Sequence, residues 1–174
     1  HGDRTMTSKL KTDVLETVSG SGTIALTNQL SGMTSASVPS GSVLQVINAS
    51  TSTGVANAGS GWADAGIVAT ITPSSTSSKI LILVDGQGFE INQTSIGFAT
   101  RLLRGSTNLS EFNKYASYTY PNNTTNVGIN YLDSPSTTSA TTYKVQVIRS
   151  GASGTARAQA NASISTITLM EIKG

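Results

Sequence analysis

The sequence reads as an all-β protein: an antiparallel jelly-roll sandwich with a short extended N-terminal arm. Three observations lead to that class. β-Branched residues are abundant, and nowhere do apolar residues recur at i, i+3, i+4 and i+7 for three clean turns, so no helix would have a face to bury. Short apolar runs are instead separated by clusters of Ser, Thr, Gly and Asn, at the spacing expected of a sandwich or barrel. Finally, 37% of the 174 residues are hydrophobic and the net charge is only +2, a balance that suits a folded chain long enough to bury a core rather than a disordered one.

Residues 1–40 read as a docking arm or stalk. Leu10, Val14, Leu15 and Val18 precede the turn Ser19-Gly20-Ser21-Gly22, and Ile24, Leu26, Leu30 and Met33 follow it. Such pieces are too short to build a core, so Leu10, Val14, Leu26 and Leu30 are candidates to dock along a partner chain or along the main domain. Residues 9–18 are the best helical candidate and are equally readable as a strand. Met6, ahead of Thr-Ser-Lys-Leu-Lys, reads as a natural start with His1 to Thr5 upstream of it. Val38-Pro39-Ser40-Gly41-Ser42 marks the boundary to a second domain, 41–174, because Pro and Gly punctuate local structure.

From residue 43 strands follow one another. Residues 43–47 are the first, and residues 49–61 read as a Ser/Thr/Gly/Asn-rich loop. In 62–72, Ala65, Ile67, Ala69 and Ile71 share one face, with Val68 and Thr70 on the other. Residues 79–84 form an apolar run that reads as a strand covered on both faces. Strands at 96–103 and 107–112 flank Arg104-Gly105-Ser106, a link suited to a hairpin. A polar segment rich in Tyr and Asn, 115–126, leads to a strand at 127–132. In 142–149, Tyr143, Val145 and Val147 oppose Lys144, Gln146 and Ile148. The Ala-alternating stretch 156–163 and a last strand at 164–172 finish the chain.

Composition excludes several chemistries. There is no cysteine, hence no disulfide, thiolate zinc site or cysteine nucleophile. His1 is the only imidazole, so no Ser-His-Asp relay or His-based metal site is expected, and no cofactor is expected either. The eleven basic residues are scattered singly rather than gathered as nucleic-acid binders gather them. No run of about 18 apolar residues is present, and the N-terminus lacks the apolar core of a secretion signal, so no membrane span is expected. Among the acidic residues, Asp85 and Glu90 come nearest to the paired carboxylates of a glycosidase, on either side of Gly86-Gln87-Gly88-Phe89. The plainer reading makes them solvated carboxylates at a strand end and its turn.

Tyr115, Tyr118 and Tyr120 fall close together beside Pro121-Asn122-Asn123. They either form an exposed stacking surface for a glycan or partner chain, or one or two of them alternate inward as strand residues. Tyr115, Tyr118, Tyr120, Asn122 and Asn123 are therefore the first candidates for recognition, with 49–61 the second. Trp62 reads as a core anchor at the start of its strand.

Several stretches resemble the virion fibre, appendage or capsid-surface proteins of marine tailed phages, cyanophages above all. They are Ser8-Lys9-Leu10-Lys11-Thr12-Asp13, the stretch from Gly20 to Leu30, Pro39-Ser40-Gly41-Ser42-Val43-Leu44-Gln45-Val46, the stretch from Ile71 to Leu81, Arg101-Leu102-Leu103-Arg104-Gly105-Ser106, Tyr131-Leu132-Asp133-Ser134-Pro135, Thr142-Tyr143-Lys144-Val145-Gln146 and the ending from Ser165 to Ile172. In order, they cover most of residues 8–173, although 152–163 departs from the pattern. The resemblance implies a homotrimeric virion-surface protein with a head similar to the jelly rolls of the complement and tumour-necrosis-factor type, and it brings no catalytic residues. The expected role is a fibre, spike or knob held by residues 1–40 and facing the host, with other tail or capsid proteins and a host surface glycan as partners. A capsid decoration protein is the alternative, and a polysaccharide depolymerase using Asp85 and Glu90 the second.

Overall fold

Residues 63–71 show how this sequence makes a sheet. Ala65, Ile67, Ala69 and Ile71 are buried, while Asp64, Gly66, Val68 and Thr70 between them are exposed, the alternation of an antiparallel strand with one face on a core. The computed structural model describes residues 38–117 and 121–174, with side chains described outside 114–120. Its strands are β1 Val43–Thr51, β2 Val55–Asn57, β3 Ala63–Ile71, β4 Lys79–Ile91, β5 Gly97–Arg104, β6 Thr107–Ser117, β7 Thr125–Asp133, β8 Thr141–Arg149, β9 Ala156–Ala158 and β10 Ser165–Ile172.

The pairing has a simple logic. β1 pairs with β10, β3 with β8, β4 with β7 and β5 with β6, all antiparallel, so the eight longer strands form one long hairpin folded at the β5–β6 turn. Rolling that hairpin sends alternate pairs to opposite sheets. One sheet runs β1-β10-β4-β7 and the other β3-β8-β5-β6, which is the jelly roll that the sequence predicts. The short strands β9 and β2 extend the first sheet beside Glu90 and Ile91. The fold of the hairpin is two residues, Gly105 and Ser106, and Gly105 takes a left-handed φ of +57° as the first of them.

The core lies between the sheets. Ile80, Ile82, Phe89, Ile129, Ile167 and Leu169 from the first sheet meet Ile67, Ile71, Phe98, Leu102, Tyr143 and Val145 from the second. The rings of Phe89 and Phe98 pack tilted with centroids 5.6 Å apart.

Four expectations need correction. Residues 49–61 are not one loop, because β1 continues to Thr51 and β2 pairs with β9. Residues 79–84 are not covered on both faces: Ile80, Ile82 and Val84 are buried, whereas Leu81 and Leu83 point outward and stay part-exposed. Gly86-Gln87-Gly88 is no turn, since β4 runs through it to Ile91 with a register shift between Gly86 and Phe89. Trp62 is only part-buried and lies beneath the Arg101 guanidinium, 4.5 Å from the ring centre.

At that irregularity Gly88 has a φ of +66°, and a Cβ placed on it would lie 2.7 Å from the backbone nitrogen of Ala160. The chain passing over it is itself left-handed at Gln159, Asn161 and Ala162. Gly88→Ala is expected to cost about 2 kcal/mol or more, combining left-handed strain with backbone overlap. Gly105→Ala, where no atom lies within 4 Å of the added Cβ, should cost only about 1 kcal/mol from its left-handed φ. Equilibrium unfolding in urea measures both.

Candidate functional site

Antiparallel pairing gives the sandwich two different ends. At the near end β1 begins and β10 finishes: the Gly41 N–H donates to the Lys173 carbonyl at 2.8 Å, and the Lys173 N–H to the Ser42 carbonyl at 2.9 Å. Register places the β3–β4, β5–β6 and β7–β8 connections there too. The β4–β5, β6–β7 and β8–β9 connections, with residues 52–62, lie at the opposite, far end.

Two buried carboxylates hold the near end. Glu171 on β10 is fully buried, and its Oε1 accepts from the Ser74 N–H (2.7 Å), the Ser74 hydroxyl (2.7 Å) and the Ser78 hydroxyl (2.6 Å). Its Oε2 accepts from Gln45 Nε2 at 2.6 Å, which ties β1 to the same point. Burial pushes the Glu171 carboxyl up, but the hydrogen bonds from Ser78, Ser74 and Gln45 outweigh it and hold the group below its usual range. Asp133 on β7 accepts the Tyr143 hydroxyl at 2.7 Å and Arg104 Nη1 at 2.8 Å on Oδ2, with a further 3.0 Å contact from Arg104 to Oδ1. Burial and the Asp133 carboxylate both push the Tyr143 phenol up, so it stays a donor.

The far end is knitted mainly by neutral groups. Asn92 Oδ1 accepts from the Thr155 N–H at 2.6 Å, and the Ser153 hydroxyl donates to Gln93 Oε1 at 2.8 Å, which joins the β4–β5 and β8–β9 connections. Arg149 donates to the carbonyls of Ala58, Gly59 and Gly151 at 3.0, 3.1 and 2.6 Å. The Asn122 N–H donates to the Ile91 carbonyl at 2.7 Å, and Asn122 has a left-handed φ of 58°. Asn122 and Asn123 are exposed beside Pro121 and Thr124. Tyr118 and Tyr120 lie outside the described residues, as does the side chain of Tyr115, whose backbone belongs to β6. The arm candidates Leu10, Val14, Leu26 and Leu30 also lie outside them.

The described parts of both sequence-predicted recognition segments, 115–126 and 49–61, thus reach the far end. The structure adds Asn92, Gln93, Ser153 and Arg149 to it. A signal for the first two existed: Asn92-Gln93-Thr94-Ser95 is a turn-like cluster between two apolar runs.

Asp85 and Glu90 have separate environments. Asp85 is exposed and accepts from Gln87 Nε2 at 2.6 Å, whereas Glu90 is buried and paired with Arg157 at 2.9 Å, so Glu90 is no solvated carboxylate. Among the described residues no group of three or more His, Cys, Asp or Glu side chains could hold a metal ion, and no helix is long and apolar enough to cross a membrane.

The sequence matches no protein-family model and no curated protein. Among solved structures the chain is similar to the VP2 subviral particle of infectious bursal disease virus, with 12% identity, a TM-score of 0.46, and coverage of 76% of this chain and 34% of that one. It is also similar to the structure of the Gt strain of the same virus, with 10% identity, a TM-score of 0.37, and coverage of 75% of this chain and 39% of that one.

Glu171 makes stability depend on pH with a defined sign. The folded chain keeps this carboxylate ionised to lower pH than the unfolded chain does, so its contribution is present above the ordinary value of 4.5 and is lost as pH falls through the depressed folded value. Unfolding free energy should therefore drop between about pH 5 and pH 3, and Glu171→Gln should flatten that drop while lowering stability at pH 7. Urea titrations at pH 7, 5 and 3 test it.

Proposed function

We propose that this protein is a virion structural protein, a trimeric surface fibre, spike or knob that residues 1–40 attach to the particle and whose jelly roll faces a host cell. One observation supports the reading: the chain enters β1 at the near end, while the described parts of both candidate recognition segments lie at the far end. A domain held at one end and loop-rich at the other suits attachment, and three copies would add weak contacts through avidity. A non-enzymatic role is supported by Glu90, one of the two carboxylates a depolymerase would use, which is buried and paired with Arg157.

Fluorescently labelled protein is expected to bind saturably to cells that the parent particle adsorbs to. Replacing Tyr118, Tyr120 and Asn123 together by Ala should weaken that binding at least tenfold, in a variant whose circular dichroism spectrum shows it to be folded. Cells that fail to retain the protein would overturn the adhesive role. If removal of residues 1–37 then lowered particle stability and left adsorption unchanged, the capsid-decoration role would replace it.

A further inference from the structure

An apolar row crosses the full width of one outer sheet face. Register sets Val46 beside Met170, Met170 beside Leu81 and Leu81 beside Leu132, one residue from each of β1, β10, β4 and β7. Val46 and Leu132 are 52% and 53% exposed, and Val43 extends the patch toward the near end at 53%. The next row toward the far end is Asn48, Thr168, Leu83 and Asn130. The outward-facing charges of β4 are Lys79, two residues before Leu81, and Asp85, four residues after it, and they are of opposite sign.

The other outer face is built differently. There Asp64 accepts from Lys144 and Gln146 at 2.9 and 2.6 Å, and Arg101 donates to Gln146 and covers Trp62. Those polar groups pair with one another, as suits a face turned to water. An unbroken apolar row on a sheet face marks an interaction surface instead.

We propose that the β1-β10-β4-β7 face is where copies of this chain meet, its occupant being a second copy. Two features favour a copy over another partner. The polar groups bordering the row, Asn48, Thr168 and Asn130, are amides and a hydroxyl that both donate and accept, so the weakly charged surface of another copy can answer them, whereas a charged partner finds no surplus of counter-charge. The area of the whole face also fits. Four strands about 4.8 Å apart and about eight residues long at ~3.4 Å per residue offer roughly 500 Å² per copy, hence about 1,000 Å² for a pair, the lower threshold of a specific interface.

The proposal does not rest on the virion reading: failure to bind cells would overturn the adhesive role alone, whereas a monomeric mass would overturn this interface and the trimer together. Light scattering on the full chain at micromolar concentration should give an oligomer. Leu132→Asp and Val46→Asp should each reduce it to a monomer with an unchanged circular dichroism spectrum. Leu132→Ser, which adds no charge, should raise the dissociation constant at least tenfold. Val68→Asp, a control 46% exposed on the opposite face, should keep the oligomer. A monomeric wild type, an unchanged mass for Leu132→Asp, or dissociation by Val68→Asp would overturn it.

Discussion

Asp133 ends a strand of one sheet and takes its partners from the other. Tyr143 and Arg104 belong to β8 and β5, so a single carboxylate joins the two layers where the rolled hairpin must close. Apolar packing sets the distance between the sheets but resists sliding poorly, because a flat aliphatic surface offers many similar registers. A buried acceptor shared by a phenol and a guanidinium has one good geometry. Removing it would leave Tyr143, which is fully buried, with an orphaned hydroxyl, a loss of about 1–3 kcal/mol for that group alone. Glu171 acts on the same end by drawing the β3–β4 connection and β1 onto β10.

What could be read in the sequence, and what could not, follows from how far each residue's environment lies along the chain. β3 and β8 announce themselves, since Ala65, Ile67, Ala69 and Ile71, or Tyr143, Val145 and Val147, carry their burial in a period of two. The run at 79–84 misled because Leu81 and Leu83 look the same in sequence whether they face a core or an open apolar surface. Trp62 was misplaced because its cover is Arg101, on a strand brought alongside only by folding. Glu90 is buried against Arg157, across a separation that no local pattern encodes. The Tyr- and Asn-rich segment was legible as a connection, but its position opposite the start of β1 depends on counting antiparallel strands correctly.

The two faces of the sandwich explain the composition. Ser and Thr are abundant because small hydroxyls complete surfaces and bond locally, as the Thr70 and Thr142 hydroxyls do across β3 and β8 at 2.7 Å. Charged residues are few, and several of those present are consumed inside the fold: Glu171, Asp133 and Glu90 are buried. On the water-facing sheet Asp64, Lys144 and Arg101 are linked through Gln146 and one another. That leaves the opposite sheet nearly without charge, which accounts for an apolar row in a chain whose overall hydropathy is close to neutral.

The separation of the two ends also bears on how such a protein can change over generations. Effects of substitutions at sites well apart and without shared partners generally add rather than couple. The clamps around Glu171 and Asp133 share no partner with the Asn92, Ser153 and Arg149 contacts at the other end. Sequence drift in the distal connections can therefore be explored without reopening the closure of the roll, and the domain works as a frame on which new surfaces can be tried one substitution at a time.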